Sequence, residues 1–425
     1  MKKYLIHGGK PLSGSVRAEG AKNAALPLMA ACLLVPGPVV LERVPDVQDI
    51  RTMAELLRLL GVKVKQRPGG EVLIDATEIT SFHAPYELVS RMRASIYIMG
   101  PLLAREGRAT VALPGGCAFG PRPVNFHVDG LRMMGVSMKT RRGEIDARCK
   151  GLRGMEMEMP SRSVGATAHL MMAAALATGE TTLRNAAMEP DVVAVAEFLN
   201  LCGARVEGVE TGVVRITGVE KLSSPPGRFS NIPDRIETGT MAVAAMVTRG
   251  DVRVEGANPS HAAPTLEKIA QMGGLVETGE DWIRVLCPER PKACDIVTSP
   301  HPGFPTDMQP AMLTALALAR GVSTVTETIY PDRFKHAWEL NRLGADISVE
   351  GSGRAVVRGV ESLSGAPVTG SDLRASAALA LAGMAACDET TLYGIEHLER
   401  GYEDFPQKMR SLGASLEVVE DEARD

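Results

Sequence analysis

The residue types most able to do chemistry crowd into one stretch, PGGCAFGPRPVN at 114–125. It sets Cys117 among Gly115, Gly116 and Gly120, and fixes Arg122 between Pro121 and Pro123. Glycine lets the backbone approach a ligand and take φ > 0. Proline removes backbone freedom at the other end. A thiol on a glycine-hinged loop beside a guanidinium suits proton transfer or covalent attack, because a nearby cation draws the thiol from its ordinary pKa of about 8.5 towards neutrality. Taken alone, the same stretch also reads as a surface turn with a stray cysteine. The elements that carry it have to decide.

Those elements repeat. A pattern of apolar residues, Gly and strand-like alternation recurs as LRLLGVKVK, LRMMGVSMK, LNLCGARVE, IAQMGGLVE, LNRLGADIS and MRSLGASLE. The anchoring glycines are Gly61, Gly135, Gly203, Gly273, Gly344 and Gly413, spaced 74, 68, 70, 71 and 69 residues apart. A fixed period of this kind marks a repeated architecture. Before each anchor comes a polar opening, an Ala/Leu/Met-rich helical run, a strand such as TTLRNA or STVTET, and an amphipathic helix such as DIRTMAELLRLLG. The first helix is apolar all round and should be buried, and the glycine after the second is a helix C-cap. The expected fold is α/β, six β/α modules of about 70 residues, three per domain. SSPPGRFSNIP at 223–233 reads as a linker. The first domain is expected over 22–230, and the second over 1–21 with 231–425; the N-terminal strand around Lys3–His7 would complete the sixth module.

The period shows which positions are equivalent. Helix openings carry Lys22 with Asn23, Arg93, Ser163 with Gly165, Asp234–Glu237, Asp307, and Asp372 with Arg374. Strand-to-helix loops carry Asp49, Cys117 with Arg122, Glu189, Arg333 and Arg400. Helix N-termini bind anions, and arginine presents a fork that fits phosphate or carboxylate. Lys22, Arg93, Arg122, Arg333, Arg374 and Arg400 on equivalent tips could therefore converge on one anionic substrate in a cleft between the domains. The alternative is that each pairs with a nearby acid, as Asp372 could with Arg374.

Bulk features exclude several classes. Net charge is −4 and aromatics are 4%, so neither a basic footprint nor stacking platforms for nucleic acid are expected. No apolar run approaches a membrane span. Seven scattered cysteines without a CxxC pair fit free thiols in a reducing cytoplasm. The eight histidines lack metal spacing, and no GxGxxG, GxxxxGK[ST], HExxH or GxSxG occurs, so no metal, dinucleotide or other cofactor is expected.

GAKNAALPL at 20–28, MRAS at 92–95, LPGGC at 113–117, SVGAT at 163–167, PDRIETGT at 233–240, FPTDMQ at 304–309, DLRAS at 372–376 and ERGYE at 399–403 together resemble the UDP-N-acetylglucosamine enolpyruvyl transferase family from end to end. The resemblance implies a two-domain inside-out α/β barrel. It implies transfer of the enolpyruvyl group of phosphoenolpyruvate to the 3-hydroxyl of UDP-N-acetylglucosamine, with phosphate released through a tetrahedral ketal, in peptidoglycan synthesis. Lys22, Arg122 and Arg400 would meet phosphoenolpyruvate, with Arg93, Arg333, Asp372 and Arg374 around them. Cys117 would act in proton transfer and take covalent modification by phosphoenolpyruvate or fosfomycin, and Asp307 would accept the sugar hydroxyl proton. Asn23 and Asp307 would touch the amino sugar, and Ile329 the substrate; Arg122, Pro123, Val124, Asn125 and Phe126, with Ser163, Val164 and Gly165, the uridine and diphosphate.

Three residues depart from the family pattern. Gln48 and Ser161 stand at or near positions where a lysine is usual, and Asn125 stands for an aspartate. They leave open a different nucleotide or nucleotide-sugar acceptor. A retired, non-enzymatic relative is disfavoured by the retention of Lys22, Cys117, Asp307, Arg374 and Arg400.

Overall fold

In the computed structural model, residues 2–113 and 124–420 are described. The chain forms two compact units, Gly20–Ile232, and Met1–Glu19 with Pro233–Asp425. Each has its own apolar core.

Among the described residues, six four-stranded sheets repeat one design. In the second module the spatial order is His83–Ala84, Arg108–Ala112, Glu144–Arg148, Ser137–Arg141. The first pair is parallel and the others antiparallel. A parallel pair needs a crossover, and the inner helix supplies it. In the third module Glu156–Glu158 leads through Val164–Ala174 to the parallel strand Glu180–Arg184. These edge strands, as short as two residues at Ile296–Val297, have no alternation to read and are additions to the module expected from sequence. The central strands bury every second residue, as Thr181 and Leu183 do.

Two sheets borrow their edge strand from a distant stretch of chain. Phe229–Ser230 pairs in parallel with Pro38–Glu42, and Ser13–Arg17 with Asp251–Glu255. In the sixth module Lys2–His7 lies between Glu389–Tyr393 and Ser415–Glu420, antiparallel to both. The N-terminal strand thus completes the last repeat.

The inner helices are buried all round, as an apolar surface without a polar stripe requires. Every residue of Gln309–Ala317 is buried, and this helix packs with Arg235–Thr248 and Leu373–Ala385. The second helix of each module is amphipathic where it faces solvent: Lys335–Arg342 buries His336, Ala337 and Leu340. All six anchoring glycines take φ between 91° and 100°. At Gly61 the Schellman pair is complete, Gly61 N–H donating to Arg58 O and Val62 N–H to Leu57 O.

The two chain crossings are tied within each unit. Ala21 N–H donates to Ile232 O at 2.7 Å, and Asp234 N–H to Glu19 O at 2.9 Å. The Glu19 N–H also donates to the buried Glu237 carboxylate at 2.7 Å, and Lys408 bridges Glu237 at 2.7 Å and Glu19 at 3.2 Å. Burial pushes Glu237 up to about 7 against the pull of Lys408.

Candidate functional site

Cys117, Arg122 and Pro123 lie outside the described residues. The remaining candidates fall into one set per unit.

In the unit spanning 20–232, Lys22 and Asn23 open the helix Lys22–Ala31. Lys22 Nζ lies 3.1 Å from Asp49 Oδ2, both side chains largely buried. Asp49 sits in the first turn of Gln48–Leu59 rather than in the loop before it, and Gln48 begins that helix. Arg93 starts the 3₁₀ turn Arg93–Ile98. Ser163 caps Val164–Ala174, its Oγ accepting from Ala166 N–H at 3.2 Å. Val164 and Gly165, half-buried, follow as the donor end of an otherwise buried helix. Val124 precedes Asn125–Met133, which places Asn125 on the surface and Phe126 half-buried against the core.

Two histidines that the sequence left as ordinary stand beside this set. His127 Nδ1 is 3.0 Å from His169 Nδ1, and Gly100 N–H donates to His169 Nε2 at 2.8 Å. A backbone N–H can only donate, so His169 carries its proton on Nδ1 and gives it to His127 Nδ1. The His127 proton is therefore on Nε2. A Cβ at Gly165 would lie 3.4 Å from that nitrogen and 3.6 Å from the Tyr97 hydroxyl. Burial, then the Arg93 charge, pulls His127 down to about 4, and burial with His127 lowers His169 further from its usual value. Both rings are neutral at pH 7. The signal available in sequence was only that His127 adjoins the 122–126 run.

In the other unit, Asp307 lies on the 3₁₀ turn Thr306–Met308, ahead of the buried helix Gln309–Ala317. Its Oδ1 accepts from Arg333 Nη1 at 2.6 Å and its Oδ2 from Arg374 Nη2 at 3.1 Å. Both arginines are under a tenth exposed. Arg374 Nη1 also donates to the Tyr402 hydroxyl at 3.2 Å, and that hydroxyl shares a hydrogen bond of 2.8 Å with Thr240 Oγ1. Burial opposes the Arg374 charge, but Asp307, Tyr402 and Asp234 outweigh it and raise its pKa. Asp372 is not the side-chain partner of Arg374. Its carboxylate caps Leu373–Ala385, accepting from Arg374 N–H at 2.8 Å and Ala375 N–H at 3.0 Å. Arg333 precedes Lys335–Arg342, Ile329 is exposed in the loop before it, and Arg400 ends the 3₁₀ turn Ile395–Arg400.

A carboxylate held by two forks can accept a proton from a hydroxyl while its orientation stays fixed, and the same arginines offer charge to an anion. No group of three or more His, Cys, Asp and Glu among the described residues is placed to hold a metal ion. No helix among them is long and apolar enough to cross a membrane.

The model of the EPSP synthase (3-phosphoshikimate 1-carboxyvinyltransferase) family matches residues 6–409. The chain is 48% identical over 421 residues to the UDP-N-acetylglucosamine 1-carboxyvinyltransferase of Halorhodospira halophila, covering 99% of this chain and 100% of that one. The protein of the same name from Coxiella burnetii is 46% identical, covering 99% and 96%. Among solved structures, the enolpyruvyl transferase NikO from Streptomyces tendae superposes with a TM-score of 0.90 at 27% identity, over 98% of this chain and 99% of that one. An EPSP synthase from Acinetobacter baumannii, at 20% identity and a TM-score of 0.78 over 99% and 100%, shares the fold. With the repeat, the sheets and these likenesses in agreement, the chain belongs to the EPSP synthase family of enolpyruvyl transferases, and within it to the UDP-N-acetylglucosamine 1-carboxyvinyltransferases.

Proposed function

We propose that this protein transfers the enolpyruvyl group of phosphoenolpyruvate to the 3-hydroxyl of UDP-N-acetylglucosamine and releases phosphate. The observation that carries the reading is Asp307 held between Arg333 and Arg374, in a chain nearly half identical to transferases of that name. Asp307 takes the proton of the sugar hydroxyl, whose oxygen bonds to C2 of phosphoenolpyruvate while its methylene carbon gains a proton. The tetrahedral ketal then loses a proton from that carbon and expels phosphate, restoring the double bond. Cys117 serves in these proton transfers and is the thiol open to covalent capture.

The substrate anions are assigned to Lys22, Arg93, Arg122, Arg333, Arg374 and Arg400. The uridine and diphosphate are assigned to residues 122–126 and 163–165, the amino sugar to Asn23 and Asp307, and Ile329 to substrate binding. Asp372 supports them by fixing the first turn that presents Arg374. No metal or cofactor enters this scheme, and the compartment assigned is the cytoplasm.

A coupled phosphate-release assay tests the reading. Release that requires both phosphoenolpyruvate and UDP-N-acetylglucosamine is expected, and its absence overturns it. A second reading, another nucleotide acceptor, draws on Asn125 and Gln48. A higher kcat/KM for a different uridine compound would select it.

A further inference from the structure

In four of the six modules the residue that follows the central strand takes a left-handed backbone: Arg43, Asn185, Gly256 and Gly394, with φ between 51° and 73°. Glu327, at that position in the fifth module, does not. Its side chain makes the turn instead. Glu327 is 2% exposed. Its Oε1 accepts from Ile329 N–H and Tyr330 N–H, each at 2.9 Å, and from Thr298 Oγ1 at 2.8 Å. Its Oε2 accepts from Thr306 Oγ1 at 2.9 Å. Thr298 is tied in turn to Thr328, accepting from its N–H at 2.9 Å and from its hydroxyl, through the Thr298 carbonyl, at 2.6 Å.

One buried carboxylate thus joins three segments. Thr306 adjoins Asp307, and Ile329–Tyr330 begins the loop that ends at Arg333. Those two loops meet again where Arg333 donates to Asp307. Charge-assisted bonds are shorter and stronger than neutral ones, and a buried acceptor with four donors fixes each of them.

We infer that Glu327 is a positioning residue for the transfer reaction: it sets the Asp307 carboxylate and the Ile329 backbone against the acceptor sugar, acting through Thr306 and the Ile329–Tyr330 amides. The inference rests on the function proposed above. It assigns Glu327 to the acceptor sugar side, so losing it should affect UDP-N-acetylglucosamine and leave phosphoenolpyruvate largely alone.

The test compares wild type with Glu327→Leu, Glu327→Gln and Thr306→Val in the phosphate-release assay, with circular dichroism as the check on folding. Glu327→Leu leaves four donors without their acceptor, and kcat/KM for UDP-N-acetylglucosamine should fall about ten- to a hundredfold, with KM for phosphoenolpyruvate within about twofold of wild type. Thr306→Val cuts the single link beside Asp307 and should give a smaller fall of the same kind. Glu327→Gln keeps an oxygen for Ile329, Tyr330 and Thr298, and its amide can donate to a Thr306 hydroxyl turned to accept. It should stay within about threefold of wild type, the rescue that hydrogen-bonded positioning demands. If Glu327→Leu does not fold, Thr306→Val and Glu327→Gln decide. An active wild type whose folded Leu and Val variants keep both constants overturns the inference alone, as does a Gln variant as damaged as Leu. An inactive wild type overturns the functional reading and this inference with it.

Discussion

Arg374 reaches Asp307 across 67 positions of sequence, its Nη2 donating to Oδ2 at 3.1 Å. The sixth module thereby orients the carboxylate of the fifth. Asp307→Asn keeps the shape and one acceptor but cannot take a proton. Its kcat should fall about 10²- to 10⁴-fold, and stability by about 1–3 kcal/mol as the arginines lose charge-assisted partners. Stopped-time phosphate assays and thermal melts measure the two. A variant with normal kcat removes Asp307 from the proton path.

Cys117→Ser should nearly abolish turnover at neutral pH and remove fosfomycin labelling in intact-mass spectra. Four of the other thiols make poor competitors. Burial pushes Cys202 up to about 12 and Cys287 up to about 11, and raises Cys32 and Cys294 as well. An adduct persisting on the serine variant would place the reactive thiol elsewhere.

The His127–His169 pair should stay neutral well below pH 6. Because both folded pKa values lie below the unfolded value near 6.5, the pair's contribution to stability is complete above pH 6.5 and is lost as pH falls towards 4. Nitrogen shifts of ¹⁵N-histidine-labelled protein should report His169 protonated on Nδ1 and His127 on Nε2. Either ring titrating near 6.5 would contradict the arrangement.

Lys408→Met should destabilise the protein by about 3–5 kcal/mol at pH 8 and by distinctly less at pH 5.5. The sign follows from Glu237, raised above its unfolded value to about 7 by burial. Between its unfolded and folded pKa values the native state binds the extra proton, so stability falls as pH rises through that window. Removing Lys408 takes away the charge that favours the carboxylate, so at low pH Glu237 protonates and the loss is relieved. Equal losses at both pH values would show that Glu237 is not the group responsible.

What could be read in the sequence was whatever depends on neighbours along the chain. Gly61 and its five counterparts announce helix ends because only a left-handed residue closes that turn. Ser163, Asp234 and Asp372 announce helix openings, and in the structure each side chain accepts from first-turn N–H groups. Counting modules puts the N-terminal strand, read over Lys3–His7, in the sixth repeat. What could not be read depends on distant partners. Asp372 and Arg374 look like an ion pair two residues apart, yet one serves its own helix and the other turns to Asp307. Tyr402 and Glu327 carry no local signal at all, since their partners, Thr240 and Arg374 for one, Thr298 and Thr306 for the other, come from other segments.

The sixth sheet carries one more implication. Lys2 stands opposite Glu420, so the strands Lys2–His7 and Ser415–Glu420 pair as the two arms of a hairpin do. In the fifth module, strands Asp346–Val349 and Arg354–Arg358 form the same hairpin with the turn intact. Joining Glu420 to Lys2 by a short turn would make the protein a covalent ring of six equal modules. Such a ring could be reopened at another module's hairpin, such as Gly69–Gly70 between Lys63–Arg67 and Glu71–Asp75, giving a circularly permuted enzyme with every sheet retained.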